Sequence, residues 1–187
     1  MNATRRSLLP MLACIAGGYL VQTEAAHAAT ASELNAQAND ALGLLFRTQP
    51  RTRTLAQNAK AVLIFPRIIK AGLIIGAQSG DGVLRINNRT VGYYNISAVS
   101  YGLQAGAQAF SYALFFMTDS SLSYLQKSDG WAIGSGPSVV VIDQSAAASL
   151  TSTTVSQDVY AFPFAGRGLM AGIGLEGSKI THINRPG

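Results

Sequence analysis

Short apolar runs that end at proline or glycine recur along the chain, and this pattern predicts a β-sheet. The first run covers residues 61–65 and ends at Pro66, and a second covers residues 72–77. Both are shorter than a typical helix and rich in isoleucine, leucine and valine, which favours buried strands. The glycine-rich stretch 79–82 then predicts a turn that leads into Val83. The centre of the chain is therefore predicted to be sheet.

Later segments continue the strand pattern. The segments with strand character are 90–99, 101–117, 138–143, 159–164, 167–175 and 179–184. Within 101–117, glycine and glutamine alternate with leucine and alanine, and this period of two is typical of a strand. The stretch 144–156 is rich in serine, threonine and alanine, and it fits either an exposed loop or a polar strand. We expect an α+β fold, mostly an antiparallel β-sheet or partly closed β-barrel with short packed helices.

Two short helices are predicted before the sheet. Thr30 and Glu33 form a T-x-x-E capping box, which marks the start of the first helix. Apolar residues then recur at helical spacing until Pro50; they are Leu34, Ala38, Ala41, Leu42 and Leu45. The stretch 51–60 predicts a second helix with Leu55 facing inward. A third helix is predicted over residues 120–127, with Thr118 or Asp119 as its cap.

Residues 1–28 have the organisation of an export signal peptide. Arg5 and Arg6 form a charged start, residues 7–21 form an apolar run, and residues 26–28 read Ala-His-Ala, an A-x-A cleavage site. The paired arginines fit either the general export pathway or the twin-arginine pathway. The sequence therefore predicts an exported protein, periplasmic or in the cell envelope, with a single domain over residues 29–187.

The only cysteine, Cys14, lies inside this leader. The residues before it also fit a degenerate lipoprotein signal, in which Cys14 would carry the lipid anchor. Cleavage after Ala28 is the preferred interpretation, and it leaves a chain without cysteine. Disulfides and thiol catalysis are then both excluded for that chain.

Charge is concentrated in one block of the chain. Residues 29–46 carry two acids, and residues 90–187 carry four bases and five acids. Residues 47–89 carry eight bases and one acid, a net charge of +7. A local basic field indicates an anionic partner, whether phospholipid, nucleic acid or another polyanion, although a plainly solvated face has the same composition.

The sequence offers no convincing catalytic constellation. His182 is the only histidine after the leader, Ser135 lies in no nucleophile elbow, and no residues have the spacing of a zinc or calcium site. Glycines at 172, 174 and 177 match a dinucleotide fingerprint by letters, but the following chain is too short for the βαβ unit that this motif requires. Nucleic acid is disfavoured because Phe65 is the only aromatic residue within the basic block. We therefore predict a protein that is not an enzyme and holds no cofactor or metal.

Several spaced motifs resemble the SYLF domain family. They are KAVLIFP at 60–66, KAG at 70–72, GxGVL at 80–84, GxQxGxQ at 102–108 and GLxAGxxLEG at 168–177. The similarity covers residues 34–183 in the family's order. In eukaryotic members this domain binds phosphoinositides and other anionic lipids, helped by a basic N-terminal segment, and some members work with actin. The resemblance therefore implies that this chain binds lipid.

The candidate site residues come from the basic block. The predicted lipid-binding residues are Arg47, Arg51, Arg53, Lys60, Arg67 and Lys70. Each base near an anionic surface contributes about 1 kcal/mol, so four bases on one face give only millimolar affinity. Tighter binding requires apolar insertion, and the candidates for it are Leu44, Leu45 and Phe46.

The sequence as a whole predicts an exported module that binds anionic phospholipid or phosphoinositide headgroups through a basic patch. The alternative is a structural cell-envelope protein that binds another protein and has no lipid role. Salt dependence separates the two, because attraction to a charged lipid surface is screened and an apolar protein interface is not.

Overall fold

The computed structural model describes residues 29–72, 75–101, 106–142, 156–167, 175 and 177–185. The predicted export signal with Cys14 lies outside these residues. So do residues 144–155 of the stretch 144–156, most of the alternating segment 167–175, and residues 102–105 of the predicted strand 101–117.

Three helices occur in the described residues: α1 (Ala31–Thr48), α2 (Arg51–Asn58) and α3 (Asp119–Lys127). The capping box of α1 is confirmed: the Glu33 amide donates to Thr30 Oγ1 at 3.2 Å, and the Thr30 amide donates to Glu33 Oε2 at 2.8 Å. The hydrogen bond from the Thr30 backbone, and after it one from the Thr30 side chain, lower the pKa of the Glu33 carboxyl. The cap of α3 is Thr118, whose hydroxyl accepts from the Ser121 amide.

Eight strands form one sheet in the described part of the chain. They are β1 (Ala61–Gly72), β2 (Ile75–Ile86), β3 (Arg89–Tyr101), β4 (Gly106–Phe116), β5 (Trp131–Ala132), β6 (Val139–Val141), β7 (Val159–Arg167) and β8 (Lys179–Ile183). Their order is β5-β8-β3-β2-β1-β4-β7-β6, and every neighbouring pair is antiparallel except β6 and β7. The sheet curls into a half-barrel. The predicted α+β fold with a mostly antiparallel sheet is confirmed.

The two faces of the sheet bury separate apolar clusters. On the inner face, Phe65, Tyr112 and Phe116 pack with Trp131 and with Leu125 of α3. Burial raises the pKa of the Tyr112 hydroxyl far above its usual range. On the outer face, α1 and α2 cover a second cluster that includes Leu45, Leu55, Ile64, Phe115 and Phe162. α1 is held there by Arg85 of β2, which donates to Asn39 Oδ1 at 2.6 Å.

The predicted turn at residues 79–82 is wrong, because β2 runs straight through it. Gly72 pairs with Gly76, so the chain reverses before β2 begins. The glycines mark a close approach of β1 instead: a Cβ at Gly80 would lie 2.5 Å from the Arg67 carbonyl oxygen, and one at Gly82 would lie 2.5 Å from the Phe65 ring. A glycine inside a strand fits such close packing as well as it fits a turn.

A β-bulge divides β1. Ile64 pairs with Val83 of β2 and Arg67 pairs with Asp81, so β1 has one more residue than β2 between these two pairs. β1 also has one extra residue relative to β4 at the same place. Pro66, which has no amide proton to donate, sits in the bulge, and its carbonyl accepts from Ser111 Oγ at 2.7 Å. Beyond the bulge the four central strands continue as an extension that we call the arm, made of residues 67–72, 75–80, 97–101 and 106–110.

Candidate functional site

Three of the six predicted lipid-binding residues lie where α1 turns into α2, a region that we call the corner, residues 44–53. Arg47, Arg51 and Arg53 are all exposed there. The connection is short because only two residues separate the helices, and it is fixed by the Gln49 carbonyl, which accepts from the Thr52 amide at 3.0 Å and from the Thr52 hydroxyl at 2.6 Å. The three guanidinium groups are therefore carried by a rigid turn.

One arginine of the corner stacks on an aromatic ring. The guanidinium carbon of Arg53 lies 5.3 Å from the centroid of the half-buried Phe46 ring. A cation over a ring face at this distance is attracted by the ring quadrupole, and the planar guanidinium keeps its outward edge for hydrogen bonds. The contact presents Arg53 in one orientation beside an apolar side chain.

The three predicted membrane-inserting residues differ in their surroundings. Leu45 is fully buried in the outer cluster, where it packs with Leu55 of α2. Leu44 and Phe46 are half-buried at the surface. In this fold only Leu44 and Phe46 have surface left to offer a bilayer, and their insertion stays a prediction.

Lys60 lies outside the corner and contacts α3 instead of the corner arginines. Its Nζ is 3.2 Å from Asp119 Oδ2 at the start of α3, with both side chains largely exposed. An exposed pair of this kind contributes little stability, and it leaves Lys60 able to exchange its partner. The backbone amide of Lys60 donates to the Phe116 carbonyl at 2.8 Å, so this residue is anchored at the start of β1.

Arg67 and Lys70 lie at the other end of β1, on the arm. Both lie between the apolar runs 61–65 and 72–77 that the sequence predicts as separate strands, and the structure places both in the single strand β1. Arg67 is exposed in the bulge, and Lys70 lies opposite Gln78 on β2 and Gln108 on β4, on the inner face of the sheet. β1 spans 12 residues, or roughly 40 Å at about 3.3 Å per residue. The six bases therefore do not form one continuous patch.

The arm also carries an exposed apolar face that the sequence did not reveal as a surface. Ile69, Ile75 and Val99 expose 47%, 61% and 64% of their surface. Apolar runs and their alternation predict strands, but they do not predict which part of the sheet a helix covers, because that depends on where α1 lies in the fold.

The base of the arm is tied to residues before α1 and after β8. Arg185 donates to Asp81 and to the carbonyl of Ala29, and Asn95 Nδ2 donates to Asp81 Oδ1 at 2.8 Å. A groove of about 640 Å³ runs beside this tie. Its walls include Ala29 just before α1, Leu34 of α1, Pro66 and Arg67 from the bulge, and Ile69 from the arm.

Other kinds of site find no support within the described ranges. No group of three or more histidine, cysteine, aspartate or glutamate side chains is placed to hold a metal ion in that part of the chain. Of the helices described, none combines the length and the apolar character needed to cross a bilayer.

A family model described as "Ysc84: Las17-binding protein actin regulator" matches residues 97–185. The resemblance to the SYLF family is thereby confirmed, as a similarity of this part of the chain to the Ysc84 domain. The family is one of binding domains and is not a known enzyme family. A comparison with curated protein sequences gives no match. The matched region holds α3 and β4 to β8, whereas the corner lies before it.

Proposed function

We propose that this protein is an exported module that binds anionic phospholipid or phosphoinositide surfaces through the corner. The observation that carries the proposal is the set of three exposed arginines on one rigid turn, with no acidic residue anywhere between residues 41 and 80. Guanidinium groups suit this task because they bind phosphate oxygens in a two-pronged geometry.

The strength of this contact can be bounded. Three bases near an anionic surface contribute roughly 3 kcal/mol in total, which corresponds to a dissociation constant on the order of 10 mM. Partial burial of the Phe46 ring among lipid headgroups adds to this, yet the corner alone remains a weak and reversible contact. Lys60, Arg67 and Lys70 lie outside the corner and do not add to the contact that the corner itself makes.

A protein partner is the second candidate function, and the family description favours it. Proteins of that description bind Las17, so a Ysc84-type domain is compatible with a protein ligand. Under this alternative the protein would be a structural component of the cell envelope, and the corner arginines would be a solvated face or a contact for an acidic protein.

Co-sedimentation with vesicles tests the proposal. The chain is produced in an exporting bacterial host and purified as that host processes it, and its N-terminus is read by mass spectrometry. We expect sedimentation with vesicles of equal parts phosphatidylcholine and phosphatidylglycerol, weakening as salt rises, and little sedimentation with phosphatidylcholine alone. Cleavage after Ala28 is expected in the same sample.

Two outcomes would count against this function. Equal binding to neutral and anionic vesicles would remove the role of the arginines, and absence of binding to either would favour the protein partner. An N-terminus at Cys14 carrying lipid would replace the exported soluble form with an anchored one.

A further inference from the structure

The exposed apolar residues of the arm lie on one face of the sheet. Ala77 pairs with Val99 on one side and with Ala71 on the other, and Ala71 pairs with Ala107. Residues paired directly across antiparallel strands share a face, and Ile75 joins them because it is two positions from Ala77. Ile69 lies two positions from Ala71 on the same face. The result is a surface of exposed isoleucine, valine and alanine side chains, joined in the row of Ile69 by the exposed Ser79 and Ser97.

This face is the outer one, which α1 covers elsewhere. Val83 lies on it beneath α1, and Asp81, two residues earlier in β2, meets the chain just before α1 through the Arg185 tie. The helix therefore starts level with the base of the arm and runs away from it. Among the described residues, the apolar surface beyond that point is left without a covering helix.

The charges of the arm have one sign. Its four ranges contain Arg67 and Lys70 and no acidic residue. The nearest acid in β2 is Asp81, which Arg185 neutralises. Lys70 lies on the opposite face, where Gln78 and Gln108 flank it, so that face is polar and cationic, while Arg67 lies at the base of the apolar face opposite Asp81. That division suits an element lying at the boundary between lipid headgroups and acyl chains.

The backbone of the arm also suits a poorly hydrated environment. β1 pairs with β2 and β4, and β2 pairs with β1 and β3, throughout the arm. The amide and carbonyl groups of the two central strands are therefore satisfied within the sheet. Unpaired backbone groups are the main cost of placing polypeptide among acyl chains, and the two central strands avoid it. The outer edges of β3 after Ser97 and of β4 before Ala109 pair with no strand among the described residues, so the arm can offer its apolar side chains to the bilayer while these edges stay at the level of the headgroups.

We propose that the arm is a bilayer-inserting element, with Ile69, Ile75 and Val99 entering the acyl boundary and Arg67 and Lys70 at the level of the phosphates. This inference depends on the proposed function in one respect, that the partner is a lipid bilayer. A second copy fits less well, since three partly exposed aliphatic side chains and a few alanines fall short of the about 800 Å² per partner of a standard interface. Two facing arms would also bring like charges together.

Single-cysteine labelling tests the insertion, because Cys14 is the only cysteine of the chain. In a Cys14→Ser background, Ile75→Cys and Val99→Cys variants carry an environment-sensitive fluorophore. A Gln126→Cys variant on the exposed side of α3 is the matched control. With vesicles of equal parts phosphatidylcholine and phosphatidylglycerol, we expect the arm labels to brighten and shift to shorter wavelength while the α3 label stays unchanged.

A substitution that keeps the strand intact gives the second measurement. Ile75→Thr with Val99→Thr retains β-branched side chains at exposed positions and removes apolar surface, so we expect about tenfold weaker vesicle binding with unchanged folding. If the protein sediments with vesicles while the arm labels keep their aqueous spectrum, the arm does not insert and the inference is overturned. A spectral shift that grows with protein concentration and needs no vesicles would assign the face to a second copy and overturn it equally.

Different outcomes contradict the corner proposal and the arm proposal. If a variant with Arg47, Arg51 and Arg53 reversed in charge still sediments and its arm labels still shift, insertion stands and the corner proposal falls. If the unsubstituted protein sediments with no vesicle, both proposals fall together.

Discussion

The corner and the arm both present cations to solvent, but their surroundings make them different kinds of surface. The corner holds three arginines on a rigid helical turn, with one half-buried ring beside them. The arm holds two cations spread over both faces of a sheet, and its dominant feature is exposed aliphatic surface. A contact made by the corner is electrostatic and weakens with salt, whereas one made by the arm is hydrophobic and does not. Charge alone therefore does not identify which end of β1 meets a partner.

Reversing the charges of the corner is expected to have the largest effect and tests whether its contact with lipid is electrostatic. In Arg47→Glu, Arg51→Glu and Arg53→Glu combined, attraction is replaced by repulsion, and we expect vesicle affinity to fall at least about a thousandfold. The matched control reverses three exposed bases elsewhere, Arg89, Lys127 and Lys179, and so gives the same net charge. Equal losses in both variants, measured by co-sedimentation, would show that total charge matters and the corner does not.

Substitutions at Leu45 and Leu44 test which of the two corner leucines belongs to the core. Leu45→Ala removes a fully buried side chain from the outer cluster, and we expect the free energy of unfolding to fall by about 3 kcal/mol. Leu44→Ala, at the half-buried neighbouring position, is the matched control and should cost less than about 1 kcal/mol. Urea denaturation measures both. A similar small loss at the two positions would mean that Leu45 is not the core residue that the packing indicates.

This pair of leucines also illustrates how far the sequence could be interpreted. Helical spacing placed Leu45 on the buried face of α1, and the structure confirms that face. The neighbouring charge of Arg47 suggested the opposite role, insertion into a membrane, for the same residue. A periodicity reports which side of a helix is apolar, and a nearby charge reports only what is close in sequence, so the periodic signal is the better guide to burial.

The distribution of the six bases could not be predicted in the same way. It depends on the continuation of β1 through Pro66 and on the bulge there, which is an extra residue that shifts every later side chain. Glycines at 80 and 82 suggested a turn because their role, space for β1, requires knowledge of the partner strand. Lys60 meets Asp119 across 59 positions of sequence, a contact that no local pattern encodes.

Asp158 lies in neither the corner nor the arm, and its titration tests whether an effect of acid on vesicle binding comes from loss of the fold. The Asp158 carboxylate accepts from the Ser138 amide at 3.1 Å, the Ser138 hydroxyl at 3.0 Å and the Thr118 hydroxyl at 3.2 Å. These bonds, first the one from the Ser138 backbone, lower the pKa of Asp158 below its ordinary value. A lowered pKa contributes stability that is present above the unfolded-state value of about 4 and lost as pH falls through the folded-state value.

In Asp158→Asn, we therefore expect about 1 kcal/mol less stability at neutral pH and a shallower loss of stability between about pH 5 and pH 2. Urea denaturation across this range measures the slope, with Asp129→Asn, an exposed acid, as the control. An unchanged slope would mean that the Asp158 contacts contribute nothing to folding. If vesicle binding falls in acid only where the fold also weakens, neither the corner nor the arm is the pH-sensitive element.

The ring beside Arg53 gives the smallest and most specific test of the corner. Phe46→Leu keeps an apolar side chain at the position but removes the aromatic face on which the guanidinium stacks. We expect about threefold weaker binding to anionic vesicles, since an exposed cation–π contact contributes roughly 0.5–1 kcal/mol. Tyr124→Leu replaces an exposed aromatic residue far along the chain and should leave vesicle binding unchanged. If Phe46→Leu binds as well as the unsubstituted chain, the orientation of Arg53 is irrelevant, and the corner acts through charge density alone.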